Sequence, residues 1–280
     1  MAEAVTERVR RYILDGTDQD LRRLLSIAEL SAPMARSAFG RIGVRPGWNT
    51  IDCGCGPIGG LAVMAEMVGP AGRVVGVDFN PAAAQRARAV ASALELGNVE
   101  VVAGDLHDLD PAALGGPFDL AYTRLFLIHQ ADPVRTLGRI ADLLRPGGWL
   151  VAQEPLPIPP PRAHPHLEAL TAYWDLIFEL AHRAGAPAGA VEDLPQSARE
   201  AGFEIAAMNG SFIIDNPELL FEIHAGTLEA ARARGIQLGI PAERIDNLAR
   251  DIQAAAKGSG YQWVSSPFFL DLALRKPDTA

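Results

Sequence analysis

The turn IDCGCGPIGG at residues 51–60 holds the residue types of this chain that are best suited to bind a ligand. Its glycines follow the GxGxxG pattern of dinucleotide-binding turns, in which the missing side chains let the backbone bend and approach a ligand. Cys53 and Cys55 are metal ligands by type, but a structural zinc site usually has four ligands, so we interpret them as packing residues and expect no metal. The ligand of the turn must therefore be inferred from its surroundings.

Acidic residues accompany three successive apolar runs: Asp52 precedes the glycines, Asp78 ends GVD and Asp105 lies in GDL. Asp78 stands 19 residues beyond Gly59, a spacing at which a carboxylate accepts hydrogen bonds from the ribose hydroxyls of NAD. The dinucleotide fingerprint does not require Asp52 or Asp105. The pattern thus permits an NAD-dependent oxidoreductase but also another adenosine ligand.

Alternating strand and helix patterns from residue 49 onward predict the elements that position these acids. The apolar runs of five strands are TIDCG, RVVGVD, VEVVAGD, FDLAYTR and WLVAQEP. Helical segments punctuated by glycine or proline alternate with them, so we expect a doubly wound, mostly parallel α/β sheet with helices on both faces. Ligands of such sheets bind at the carboxyl ends of the strands, which is where the glycine turn and the acids fall.

The pattern changes after Pro155, where the proline-rich LPIPPPRAHPH leads into the helical segment LEALTAYWDLIFELAHRAG. A second helical segment begins near Pro217. We interpret both segments as insertions that form a helical cap. The predicted organisation is a helical lid at 1–40, a core at 41–155, a cap insertion at 156–190, core again at 191–216, a second cap insertion at 217–260, and a final core strand and tail at 261–280.

Five motifs occur in register along the first half of the chain: IDCGCGPIGG, GVDFN, AGDLHDLD, FDLAYTRLFLIHQADP and LLRPGGWLVAQEP. In this order and spacing they resemble the motifs of class I S-adenosylmethionine-dependent methyltransferases that act on small molecules. The resemblance covers about residues 45–155. It implies a Rossmann-like sheet of seven strands whose antiparallel last strand lies beside the sixth and the fifth. The segments GFEIAAMNGSFII and SSPFFLDLALRK suit those two positions.

The resemblance also implies that S-adenosylmethionine is the cofactor and S-adenosylhomocysteine the product. Asp52 and Gly54 would lie beside the methionine portion, Asp78 would bind the ribose, and Asp105 would accept from the adenine amino group. The full set of expected cofactor contacts is Asp52, Gly54, Gly56, Asp78, Phe79, Asp105, Leu106, Thr123, Arg124 and Tyr12. A ligand with ammonium and sulfonium charges has reason to prefer a site rich in carboxylates, whereas a pyrophosphate does not. This physical argument favours the methyl donor.

Methyl transfer from a sulfonium is an in-line displacement, which requires aligned reactants and, where the acceptor carries a proton, a base. Glu154 ends the fifth strand at the edge of the sheet and is the first candidate for this base; its alternatives are a partner for Arg124 or a helix cap. His129 is the second candidate, because histidine titrates near neutral pH, with a structural role as its alternative. Arg23 resembles, with Tyr12, the lid residues of related enzymes.

Aromatic and histidine side chains of the two insertions are candidates for the acceptor site. They are Tyr173, Trp174, Phe178, His182, Phe221 and His224. Aromatic stripes on helices more often form a core, but the resemblance places the acceptor pocket at these insertions. We therefore expect a partly apolar or aromatic acceptor of the kind found in secondary metabolism, methylated at carbon, nitrogen or oxygen. A protein that binds the cofactor without methyl transfer, as a cyclase or scaffold, is the alternative function.

The composition of the chain limits the kinds of molecule that it could bind. The formal net charge is −9 and the pI is near 5.2, so the chain lacks the basic surface that nucleic acid or an anionic membrane would require. Its apolar stretches are shorter than the ~20 residues that span a bilayer, and the N-terminal residues lack the apolar centre of a signal peptide. We expect a cytoplasmic protein with a small-molecule acceptor; whether it is a homodimer stays open.

Overall fold

A computed structural model describes residues 18–187, 189–258 and 260–278. The chain divides into two compact units. The first comprises the described parts of residues 1–30, 155–188 and 211–269 and is called the helical unit; the second comprises the described parts of residues 31–154, 189–210 and 270–280 and is called the sheet unit. Tyr12, which is predicted to contact the cofactor, lies outside the described residues.

The sheet unit is built on a seven-stranded sheet in the order β3-β2-β1-β4-β5-β10-β7. The strands are β1 Asn49–Cys53, β2 Arg73–Asp78, β3 Val99–Ala103, β4 Phe118–Arg124, β5 Leu144–Pro155, β7 Glu204–Ser211 and β10 Phe269–Arg275. Strands β1 to β5 pair in parallel and the last strands are antiparallel. The predicted fold class is thus confirmed, including the insertion of the last strand between the fifth and the strand before it.

Helices of the sheet unit begin where the sequence supplies cap residues. They are α2 Leu61–Val68, α3 Pro81–Ala93, α4 Pro133–Leu143 and α6 Leu194–Glu200. The Asn80 side chain accepts from the Ala82 amide ahead of α3, and the Asp132 side chain accepts from the Arg135 amide ahead of α4. Both helices carry proline in their first turn, where its missing amide costs no hydrogen bond. A short 3-10 helix, Leu127–His129, follows β4.

The helical unit packs the two predicted insertions around one apolar core. Its helices are α5 Glu168–Arg183, α7 Pro217–Gln237 and α8 Ala242–Ala256. Helix α1 spans Asp18–Ile42, and its first half, up to Leu30, also belongs to this unit. A small sheet in the order β6-β9-β8 joins Ala163–His164, Trp263–Ser265 and Ile214–Asp215. The sequence did not predict this sheet. None of the helices in the described ranges is long and apolar enough to cross a membrane.

A row of buried polar side chains crosses three strands of the large sheet. The Tyr122 hydroxyl of β4 donates to Gln153 Oε1 of β5 at 2.6 Å, and Gln153 Nε2 donates to Asp271 Oδ1 of β10 at 2.9 Å. All three side chains are buried. Buried polar groups are stable only while their hydrogen bonds are made, so Gln153 connects its two neighbours.

Replacing Gln153 should therefore destabilise the fold. In Gln153→Leu the Tyr122 hydroxyl loses its acceptor and Asp271 loses this donor, and we expect the free energy of unfolding to fall by about 2–4 kcal/mol. Urea denaturation measures the change. The matched control is Gln196→Leu on the exposed surface of α6, which should stay within about 0.5 kcal/mol of the parent protein. Equal stability of the two variants would show that the polar row contributes nothing net.

Candidate functional site

The glycine turn after β1 has the backbone that its sequence predicts. Gly54, Gly56 and Gly59 have φ values of +78°, +54° and +49°, a region that other residues rarely adopt. A Cβ on Gly59 would lie 2.4 Å from Oδ2 of Asp52, so the turn also lacks room for a side chain there. The Gly54 amide donates to the Val77 carbonyl at 2.8 Å and ties the turn to β2.

Asp52 connects β1 to the beginning of α2. Its buried carboxylate accepts from the Gly60 amide at 2.6 Å, at the N-terminus of that helix. Burial raises the pKa of Asp52 to about 7, while the Gly60 hydrogen bond and the charge of Arg124 oppose the shift and the charge of Asp78 adds to it. The site therefore holds a carboxylate whose ionised form a cationic ligand would stabilise.

Asp78 connects the end of β2 to the glycine turn. Its Oδ2 accepts from the Gly56 amide and its Oδ1 from the Asn80 amide, both at 2.8 Å. Burial raises the pKa of Asp78, and the two amides oppose that shift. Each carboxylate oxygen has two acceptor positions, so Asp78 keeps the capacity to bind two ribose hydroxyls.

Asp105 completes a row of acids at the carboxyl ends of the neighbouring strands β1, β2 and β3. It is buried, and its Oδ1 accepts from the His107 amide at 2.9 Å. Leu106 is buried, and its carbonyl accepts from Arg139 Nε at 2.9 Å. The structure thus brings together the three acids that the sequence analysis identified, with Phe79 half-buried after β2.

Arg124 and Thr123 end β4 next to this row. Arg124 is half-buried and its Nη2 donates to the Gly59 carbonyl at 3.1 Å. The Thr123 hydroxyl is buried, and within the described ranges it has no hydrogen-bond partner. Within the same ranges Arg124 forms no ion pair with Glu154, which was one of its expected partners.

Glu154, the first candidate for the base, is surrounded by backbone amides. Its carboxylate is fully buried and accepts from the amides of Phe126, Leu127 and Ile128 at 3.1, 2.9 and 3.3 Å. Burial raises the pKa of Glu154 to about 7, and the three amides oppose the shift. Oε1 accepts from two of these amides and Oε2 from one, so the carboxylate caps the 3-10 helix, which is one of its expected alternatives; its role as a base stays a prediction.

His129 lies in the 3-10 helix after β4 and is half-buried. Burial lowers its pKa to about 4, so the ring is neutral near pH 7 but binds a proton weakly. A general base works best when its pKa lies near the working pH. The position of His129 therefore gives little support to its candidacy as base.

Phe126 is a site residue that the sequence analysis missed. A Cβ on Gly54 would lie 2.3 Å from Phe126 Cδ2, so the Phe126 ring packs against the backbone of Gly54. The ring is half-buried and lies in the turn between β4 and the 3-10 helix. The sequence marks Phe126 only as the first aromatic residue after FDLAYTR, and it predicts no strand order that would bring this residue to Gly54.

The aromatic candidates of the insertions lie mainly in the core of the helical unit. Tyr173, Trp174, Phe221 and His224 are buried there, whereas Phe178 is half-buried. The Tyr173 and His224 rings have centroids 5.0 Å apart, and the Trp174 indole donates to a backbone carbonyl at 3.0 Å. These contacts suit the core alternative for the stripe.

Two further side chains of the helical unit, His182 and Arg23, are polar. His182, a candidate for the acceptor site, is exposed at the end of α5. Arg23 is buried with Asp20 in a salt bridge of 2.5 Å, and its Nη1 donates to the Thr227 hydroxyl at 3.2 Å. Within the helical unit Arg23 thus joins α1 to α7.

The two cysteines of the glycine turn lie in the interior of the sheet unit. Cys53 and Cys55 are buried and unbonded to each other, and burial raises the pKa of both thiols. In the described part of the chain, no group of three or more histidine, cysteine, aspartate or glutamate side chains could hold a metal ion.

A family model described as "Methyltransferase domain" matches residues 45–202, more than half of the chain. Nocamycin O-methyltransferase from Saccharothrix syringae is 33% identical over 198 residues, covering 62% of this chain and 66% of that protein. The chain matches between 44% and 66% of the length of the first curated relatives.

Solved structures with the same fold include the (4+2)-cyclase SpnF, with a TM-score of 0.53 and 21% identity over 89% of this chain and 82% of that chain. The cyclopropane synthase MmaA2 from Mycobacterium tuberculosis has a TM-score of 0.53 and 16% identity over 89% of this chain and 84% of that chain. At these identities the likeness shows the fold alone. The family match, the motif order and the sheet order agree, and the chain belongs to the class I S-adenosylmethionine-dependent methyltransferases.

Proposed function

We propose that the protein transfers the methyl group of S-adenosylmethionine to a small organic acceptor that is partly apolar or aromatic, as in secondary metabolism. The observation that carries the proposal is the row of buried carboxylates at the ends of β1, β2 and β3, of which Asp52 and Asp78 accept from amides of the glycine turn. A donor with an ammonium and a sulfonium group has a favourable electrostatic interaction with such a row.

Each residue of the row has a proposed task. Asp78 binds the ribose hydroxyls with its remaining acceptor positions, and Asp52 supplies negative charge beside the methionine portion at Gly54. Asp105 and the Leu106 amide bind the adenine, against which Phe79 packs. Arg124 binds the donor carboxylate; its guanidinium is half-buried and already oriented by the Gly59 carbonyl.

S-adenosylmethionine held by these residues would supply an electrophilic methyl carbon with a neutral thioether as its leaving group. The chain's residues must hold the donor in one orientation and exclude water. An oxygen acceptor is supported by the relative from Saccharothrix syringae, whose name specifies an O-methyltransferase. An acceptor that is already ionised at neutral pH would need no base from the chain.

Binding of the cofactor without methyl transfer, as in a cyclase or scaffold, is a second candidate function. The observation that favours it is that Glu154, the first candidate base, offers its oxygens to backbone amides. The two candidate functions differ in whether the methyl group of S-adenosylmethionine is transferred. Incubation with S-adenosylmethionine and a panel of phenols, carboxylic acids and amines should yield S-adenosylhomocysteine and methylated product only if the chain is a methyltransferase.

Replacing Asp78 should weaken binding of both S-adenosylmethionine and S-adenosylhomocysteine, because the two ligands share the ribose. Loss of two hydrogen bonds to a carboxylate in Asp78→Ala should raise both dissociation constants by about 100-fold. Titration calorimetry measures the constants. Asp142→Ala on the exposed surface of α4 is the control and should bind both ligands as the parent does. Undiminished binding by Asp78→Ala would contradict the proposed donor site.

Donor binding should weaken as the pH falls through about 7. Burial raises the pKa of Asp52 to about 7, so the empty site holds a proton on Asp52 below that pH, and a cationic donor must displace it. The affinity for S-adenosylmethionine should fall by up to about tenfold per pH unit below that value. Calorimetry from about pH 8 down to about pH 6 measures the profile across this window.

The control for the pH profile is Asp52→Asn. Its side-chain oxygen can still accept from the Gly60 amide, so the turn should be retained while the titrating charge is lost. We expect weaker binding at high pH and a flatter profile. Burial also raises the pKa of Glu154 to about 7, and a profile that keeps its slope in Asp52→Asn would assign the titration to Glu154 instead.

A further inference from the structure

We propose that Phe126 forms the wall of the donor site beside the sulfonium and discriminates the charged donor from the neutral product, and that Glu154 is the positioning residue that holds Phe126 there. This inference rests on the proposed function, since it requires the methionine portion of the donor at Gly54. All the residues from which it is argued lie in the sheet unit.

The contact between Phe126 and Gly54 defines the place of the wall. The distances from an added Gly54 Cβ to Phe126 Cδ2, Cε2 and Cγ would be 2.3, 2.9 and 3.0 Å, so one edge of the ring covers the backbone of the glycine turn. Gly54 has a φ of +78° and belongs to the turn that would carry the donor. A donor placed beside Gly54, as the proposed function requires, would therefore lie close to the Phe126 ring.

The backbone ahead of Phe126 is strained. Leu125 has a φ of +53°, which is unusual for a residue with a branched side chain and costs about 1–3 kcal/mol. Its amide still donates to the Gln153 carbonyl of β5 at 3.2 Å. The chain thus turns sharply within one residue of the end of β4, and this turn directs Phe126 towards Gly54. Such a conformation persists only where its surroundings enforce it.

Glu154 enforces the turn. Three amides at the start of the 3-10 helix have no earlier carbonyl of that helix to bind. They belong to Phe126, Leu127 and Ile128, and all three donate to the Glu154 carboxylate. Hydrogen bonds from amides to a buried carboxylate are stronger than those between neutral groups. Gln130 also holds the backbone of Phe126, because the Gln130 Nε2 donates to the Phe126 carbonyl at 3.2 Å.

The chemistry of the ring explains why it should discriminate. The face of an aromatic ring attracts a nearby cation, whereas a neutral thioether lacks that attraction. S-adenosylmethionine carries the positive sulfur and S-adenosylhomocysteine does not. The ring should therefore stabilise the bound donor relative to the bound product, which favours exchange of product for donor after each turnover.

The test is the ratio of the two dissociation constants, measured by titration calorimetry on the full chain. In Phe126→Leu the ratio of the constant for S-adenosylmethionine to that for S-adenosylhomocysteine should rise by about 2- to 30-fold, because leucine fills space but has no aromatic face. Phe79→Leu is the matched control: it acts on the adenine, which both ligands share, so the ratio should stay unchanged.

Glu154→Gln tests the positioning role. A glutamine in this place has one acceptor oxygen and turns a donor group towards the amides, so the turn should loosen and the ratio should rise as in Phe126→Leu. Because both act through the same ring, the double variant should show no larger ratio than Phe126→Leu alone. If Glu154→Gln does not fold, Gln130→Ala replaces it, with a smaller rise expected since only one hydrogen bond is lost.

The outcomes separate this inference from the proposed function. Equal weakening of both ligands in Phe126→Leu, or additive effects of the two substitutions, would overturn the inference while the donor site stands. Binding of neither ligand to the parent protein would overturn the proposed function and the inference with it.

Discussion

Buried carboxylates that accept hydrogen bonds from backbone amides shape the loops at the carboxyl ends of the strands. Asp52 binds the Gly60 amide, Asp78 binds two amides and Glu154 binds three. A buried carboxylate without such partners would cost several kcal/mol, and a buried loop amide without an acceptor would also be destabilising. The acids and the loops therefore depend on each other, and together they determine where a ligand can lie.

Much of the sheet unit could be predicted because its central strands are buried on both faces and so read as apolar runs. The runs around Ile51 and Val75 are ended by glycine or by an acid, and they became β1 and β2. The positions of Asp52, Asp78 and Asp105 followed from the rule that ligands bind at the carboxyl ends of parallel strands. Local sequence is therefore sufficient to place these three acids at one edge of the sheet.

The remaining features depend on contacts between residues that are distant in sequence. The small sheet pairs Ala163 with Val264, and strands of two or three residues have no periodic pattern to recognise. In the sequence Glu154 lies at the end of a strand, where catalytic acids are often found. Its amide partners, such as Leu127, could not be predicted, because they depend on the turn at Leu125, which has a positive φ. Phe126 was missed for the same reason, since its contact with Gly54 follows from that turn.

The contact between Gly59 and Asp52 constrains how this site can change in evolution. The Oδ2 atom of Asp52 fills the space that a Cβ on Gly59 would need, and the same oxygen binds the Gly60 amide. A side chain at Gly59 would have to displace the carboxylate, and a larger acid in place of Asp52 would meet the turn. A new side chain at this turn therefore requires changes at two positions that contact each other, Asp52 and Gly59.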